Sequence, residues 1–175
     1  VGCVWKESNE DDVKKQKETA QKENAKQKSE ALKKAANALG RDDLPNDVFK
    51  QNRSLETKIR LWYQQGERCL YTGRVITAHD LVYNPNLFEI DHILPLSLSF
   101  DDSLSNKVLV YSTANQEKGQ RTPFQSIPTM KQAWSWAEFK DYVAANRKTL
   151  GKKKAEYLLC LLYTSPSPRD GLLSR

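Results

Sequence analysis

The stretch FEIDHILPLS (88–97) is an apolar run suited to a strand, interrupted by an Asp and then a His. A polar loop, SLSFDDSLS, follows it, then a clear β run, NKVLVYS (106–112), then a short helix, TANQEKG (113–119), with Gly119 as its stop. This order of strand, loop, strand and helix is the tightest constraint on the fold, because it can gather residues distant in sequence around one ion. The candidates it gathers are His92, Asn106 and Asn115, with Asp91 beside the first. Neighbours on a regular strand face opposite ways. Asp91 and His92 can therefore serve one phosphate only if the strand twists or ends there, and Pro95 supplies an ending.

Each of these side chains suits a part in phosphodiester hydrolysis. An unperturbed imidazole has a pKa of about 6.5, so His92 is partly neutral near pH 7 and can accept a proton from water. Mg²⁺ prefers hard oxygen ligands and keeps several waters; one carboxylate (Asp91) and one amide oxygen (Asn115) suffice when a substrate phosphate supplies another. Such an ion would stabilise charge developing on a leaving 3′ oxygen. Lys118, a turn along from Asn115, is expected to face the phosphate as a further positive charge. Asn106 is better suited to bonding backbone across the loop and fixing where His92 points. Taken singly, an Asp-His pair is an ordinary surface pair and an Asn opening a strand is ordinary turn chemistry. The constellation carries the functional reading.

The rest of the chain frames this unit. From Asn9 to Gly40 the sequence is mostly Lys, Glu, Gln and Ala, and reads as a long, solvated helix or a partly disordered arm, with Asn9 as N-cap and Glu10, Asp11 and Asp12 at the positive helix end. Residues 41–54 read as a linker with turn chemistry around Pro45 and Asn46. Leu55, Ile59 and Trp62 recur at helical spacing and predict a short amphipathic helix ended by Gly66. CLYTGRVI (69–76) reads as a hairpin turning at Thr72-Gly73. KQAWSWAEFKDYVAANRK predicts a helix burying Trp134, Phe139, Tyr142 and Val143, and GKKKAEYLL a short basic one. The fold class is α+β.

The formal net charge is +6 over 175 residues, which suits an anionic partner, nucleic acid being the commonest, and on charge alone suits a solvated lysine-rich surface equally well. No segment approaches the roughly 20 apolar residues that span a bilayer, and the first residues lack the basic and apolar segments of a signal peptide. The expectation is no membrane partner and a cytoplasmic location. Three scattered cysteines with no CxxC pair leave no ligand set for a structural zinc knuckle and fit a reducing compartment; Cys69 is expected to be a small buried apolar residue. The final sixteen residues, CLLYTSPSPRDGLLSR, look like a translated sequencing adapter of the transposase-tagmentation kind, so 160–175 are set aside as an artefact and the chain is read as a fragment. The basic balance survives, since that tail holds two arginines and one aspartate.

FEIDHILPLSLSFDDSLSNKVLVYSTANQEKGQRTPFQ resembles the HNH nuclease domain of the type II CRISPR-associated, RNA-guided DNA endonucleases (the Cas-nine family). The resemblance extends upstream through KIRLWYQQGERCLYTG and downstream through AWSWAEFK and GKKKAEYLL, roughly residues 6–159. It implies a ββα-metal (HNH, or His-Me finger) core with flanking helices and a long N-terminal helix, organised as 1–53, a helical remnant of the RuvC-like region; 54–159, the nuclease domain; and 160–175, the artefact. It implies His92 as general base, Asp91 and Asn115 as ligands of Mg²⁺ (with Mn²⁺ as a substitute), Asn106 as the motif's middle Asn and Lys118 as an active-site lysine, so that His92, Asn106 and Lys118 form the catalytic set. The implied partners are DNA and, in the full-length protein, guide RNA, with no obligate protein partner, in a bacterial cytoplasm; the implied reaction is cleavage of the DNA strand paired with the guide. NEDDVKK resembles the stretch after a catalytic Glu of the family's second, RuvC-like nuclease, but Cys3 stands where that Glu is expected, so this second reaction is not expected here. Two other readings compete. A self-contained HNH endonuclease of the homing or restriction type would cut without a guide and often carries a CxxC zinc set. A noncatalytic binding module using the lysine-rich arm would show steeply salt-dependent binding and no Mg²⁺-dependent cleavage.

Overall fold

A computed structural model describes residues 9–161. Cys3, and most of the adapter-like tail from residue 162 onward, lie outside the described residues. In chain order the helices are α1 (Glu10–Ala38), α2 (Asn46–Gln51), α3 (Leu55–Gln64), α4 (Ala78–Tyr83), α5 (Leu96–Ser99), α6 (Ser112–Lys118), α7 (Pro123–Ser126), α8 (Trp136–Ala145), α9 (Arg147–Leu150) and α10 (Lys152–Leu158). Strands β1 (Phe88–His92) and β2 (Lys107–Tyr111) precede and follow α5. They pair antiparallel with Phe88 opposite Tyr111 and His92 opposite Lys107. No helix among the described residues is long and apolar enough to cross a membrane.

The core forms where the apolar faces of α3 and the hairpin meet. Leu55, Ile59, Leu61 and Trp62 of α3, Phe88 of β1 and Val108, Leu109 and Val110 of β2 are all essentially unexposed. Burying each such side chain is worth about 1.5–3 kcal/mol. Trp62 spends its polar atom inside, donating Nε1–H to the Ile76 carbonyl at 2.7 Å. The free edge of β2 is covered by one side chain. Gln65, wholly buried, donates to the Leu109 carbonyl at 2.8 Å and accepts from the Leu109 N–H at 2.6 Å. A two-stranded sheet is marginal alone, and this amide, with α3 behind it, satisfies an edge that would otherwise be buried without partners.

Several helix ends depart from the sequence reading. Asn9 precedes α1 without a side-chain cap bond. α3 likewise starts after Ser54 without a side-chain cap bond; Asn52 Oδ1 instead accepts from Ser54 N–H and Oγ–H at 3.1 and 2.8 Å, fixing the turn into the helix. The predicted helix from Lys131 begins only at Trp136, because Ser135 and Glu138 form a reciprocal capping box there. The 69–76 hairpin reduces to a single antiparallel bridge, Arg68 with Val75, around a tight turn. Gly73 sits there at φ +76°, and a Cβ would lie 2.4 Å from the Trp134 ring, so the turn packs closely against the approach to α8 and needs glycine at this position.

Candidate active site

α6 follows β2 with no intervening loop and lies across the hairpin, which places one helix face on one strand face. Asn115 and Lys118 are three residues apart and share a helix side; Glu89 and Asp91 are two apart and share a strand side. The two pairs meet residue by residue. Asn115 Nδ2 donates to a Glu89 carboxylate oxygen at 2.5 Å, and Lys118 Nζ lies 2.8 Å from Asp91 Oδ2.

Asp91 Oδ2 also accepts the Tyr71 hydroxyl at 2.7 Å. Tyr71 is fully buried; burial first, then the Asp91 carboxylate, push its hydroxyl well above the usual range, so it remains a donor. With Oδ2 engaged twice, Asp91 Oδ1 carries no hydrogen bond among the described residues and is not sealed from solvent. Asn115 is arranged similarly. Glu89 takes its N–H₂ side, which turns the amide oxygen away from the strand and leaves it free.

Two hard oxygens, one carboxylate and one amide, fit a divalent cation that keeps most of its own waters. Among the described residues no group of three or more His, Cys, Asp or Glu is arranged to hold a metal ion. Both free donors are oxygens, the donor type that hard divalent cations take.

His92, the last residue of β1, presents its ring to the other face. Its Nε2 lies 2.7 Å from Asp102 Oδ1, and Lys107, opposite it in the register, reaches the same oxygen at 3.1 Å. The bond from His92, then that from Lys107, hold the Asp102 carboxyl below its ordinary value. An ionised carboxylate only accepts, so Nε2 carries the proton and Nδ1 of the neutral ring is left as the basic lone pair. Nδ1 has no hydrogen bond and the side chain is 27% exposed. No hydrogen bond or ion pair joins the His92 ring to Glu89, Asp91 or Asn115 among the described residues.

Two of the residues expected in the catalytic set, Lys118 and Asn106, are buried in this structure. Lys118 was expected to face a phosphate; instead its side chain is 1% exposed, bonded to Asp91 and, at 3.0 Å, to the His92 carbonyl, with Nζ 5.4 Å from the Tyr71 ring centre. Its place on the inward side of α6 decides this. Burial lowers its pKa, which the adjacent Asp91 partly restores. Asn106 is also wholly buried. It accepts from Leu94 N–H and donates to the carbonyls of Leu94 and Asp101, each at 2.9 Å, while its own carbonyl takes Ile93 N–H.

Three contributors escape the sequence reading. Glu89 carried a signal, the two-residue spacing to Asp91 on a strand. Asp102 lay in the DDS of the loop but nothing local tied it to His92, ten residues away. Tyr71, twenty residues from Asp91, left no local trace.

The antiparallel pair, the helix that follows it directly and the His-Asn disposition define an HNH-type ββα nuclease domain. Residues 69–124 match the family model described as HNH endonuclease. The CRISPR-associated endonuclease Cas9 1 of Streptococcus thermophilus is 59% identical over 155 residues, 88% of this chain and 14% of that relative; the CRISPR-associated endonuclease Cas9 of Staphylococcus aureus is 43% identical over 105 residues, 58% of this chain and 10% of that relative. The crystal structure of Streptococcus thermophilus Cas9 in complex with AGGA PAM superposes with a TM-score of 0.84 at 56% identity, covering 93% of this chain and 16% of that one. Over these segments the chain is similar to the CRISPR-associated Cas9 endonucleases, and the part it matches holds an HNH endonuclease domain. It spans about a seventh of the length of the first of these relatives and a tenth of the second.

Proposed function

We propose that this segment is the part of a guided DNA endonuclease that hydrolyses one phosphodiester of the strand paired with guide RNA, with Mg²⁺ as its ion, in a bacterial cytoplasm. The observation that carries the reading is the pair of free oxygens, Asp91 Oδ1 and Asn115 Oδ1, held on one side of β1, with the free His92 Nδ1 at the same strand end. Asp91 and Asn115 would hold the ion, which when bound supplies Lewis-acid stabilisation of the leaving oxygen. His92 accepts a proton from the attacking water at Nδ1, and Asp102, bonded through Nε2–H, fixes the tautomer and stabilises the resulting imidazolium. Lys118 and Tyr71 hold Asp91 Oδ2, so only Oδ1 faces outward. Because neighbouring strand residues face opposite ways, the substrate lies across the end of β1, where the chain turns away at Pro95.

The test is guided nicking of the target strand in a full-length context. His92→Ala is expected to abolish it, and Asp102→Asn to lower the rate by a factor of about 10–100 while substrate binding is kept. Unchanged nicking by His92→Ala would sink the assignment.

A further inference from the structure

A second polar cavity lies away from Asp91 and Asn115. It has a volume of about 400 Å³ and opens between α1, α3 and the corner joining α9 to α10. Three cations line it: Arg60 from α3, Lys148 from α9 and Lys154 from α10. None of the three forms an ion pair among the described residues. The one acid on its wall is Glu23 of α1.

Lys154 is the unusual member. It is 2% exposed, and its ammonium group, a donor of three hydrogen bonds, makes one, to Gln64 Oε1 at 2.7 Å. A buried cation is ordinarily paired with an acid. Here the charge that acts on it is another cation, Arg60, and burial with that repulsion lowers its pKa to about 7. Arg60 is held by two neutral acceptors, Asn24 Oδ1 at 2.5 Å and Gln27 Oε1 at 3.3 Å, which leave its Nη1 donors unused. Gln27 in turn accepts from Gln64, so neutral amides brace both cations without neutralising either. Unused donors from two elements thus converge on a cavity lined by three cations and one acid, Glu23, which pairs with none of them among the described residues.

We propose that this cavity is a phosphate-binding site that takes one backbone phosphodiester of a nucleic-acid strand, with Lys154 and Arg60 as its principal donors. The planar guanidinium and the point-charge ammonium together suit a tetrahedral oxyanion. Ser103 and Ser105, which line the same cavity, belong to the loop that carries Asp102 and Asn106. A phosphate seated there touches the segment that positions His92. The inference rests on the nuclease reading for the identity of the strand.

The full chain is titrated with a ten-nucleotide oligothymidylate in EDTA, followed by fluorescence anisotropy across a salt series, with inorganic phosphate in a parallel arm. Lys154→Met keeps the apolar stem and removes the charge. It is expected to weaken binding about tenfold and to lower the salt slope by about one, whereas Lys14→Met, at an exposed position on α1, leaves the cavity's contribution intact. Both oligonucleotide and phosphate should raise the Lys154 midpoint followed by NMR at the side-chain carbon. The charged groups facing it are Arg60, Lys148 and Glu23; the loop side contributes only neutral serines. A folded Lys154→Met chain with unchanged affinity and slope overturns the proposal, as does a midpoint moved by inorganic phosphate but not by the oligonucleotide. If Lys154→Met does not fold, Arg60→Gln and Lys148→Gln are read by the same criteria. Unchanged binding by Lys154→Met with His92-dependent nicking intact would refute the cavity alone; nicking that survives His92→Ala would refute the nuclease reading.

Discussion

Asn106 binds both backbone groups of Leu94 and the carbonyl of Asp101 while fully buried. Alanine there would leave Leu94 N–H and the Asp101 carbonyl without partners and the Leu94 carbonyl with only the Ser99 hydroxyl. The expected loss is about 3 kcal/mol of unfolding free energy, read as a lower urea midpoint with an unchanged m-value. Asn106→Asp should cost at least as much, since it keeps the acceptor but removes both donors and buries a charge. Lys154 gives a pH signature. Its folded pKa of about 7 lies below the ordinary 10.5, so the unfolded chain binds more protons between those values. The stability contribution of this group therefore rises with pH through the window from about 7 to 10.5 and is least below it. The stability gained by Lys154→Met relative to the parent should be largest near pH 7 and shrink toward pH 10, as urea unfolding at several pH values would reveal.

At the level of elements, the loop between β1 and β2 is held from outside as well as from within. The Tyr157 hydroxyl of α10 donates to Asp101 Oδ2 at 2.6 Å, and Lys153 of the same helix pairs with that oxygen at 3.1 Å. Asp101 precedes Asp102, so α10 bears on the orientation of His92. Tyr157→Phe removes one hydrogen bond of about 1 kcal/mol, which should speed amide exchange across residues 94–105 about fivefold and leave exchange in α3 unaltered. β1, α3 and α6 were legible because each is a short periodic run with Gly or Pro shortly after it, and β2 because KVLVY is an apolar, β-branched run. α4, AHDLVY, was not: six residues show too little periodicity, and its start is set by Thr77 accepting from Asp80 N–H. The 69–76 segment carried a hairpin pattern, of which one antiparallel bridge, Arg68 with Val75, is formed, and its turn packs against the distant Trp134 ring.

Across the whole molecule, α1 joins the domain by one end. Ala31, Ala35 and Ala36 are buried, the first two in the core cluster, whereas the preceding turns are mostly exposed. Removing residues 1–22 should move the melting temperature by less than about 3 °C, because Asn24, Gln27 and the alanines remain. Ala35→Glu, which forces a carboxylate into that contact, should lower it by about 10 °C; calorimetry separates the two. The long helix, the strand-loop-strand-helix order and the candidates Asp91, His92 and Asn115 were all present in the sequence, since periodicity and residue chemistry are local properties. Which way Lys118 points, which acid orients His92, that Glu89 turns the Asn115 amide and that Lys154 is buried beside Arg60 were decided only when α6 settled on β1 and α10 on α3. Those are contacts between residues far apart along the chain, and no local pattern encodes the face on which two such elements meet.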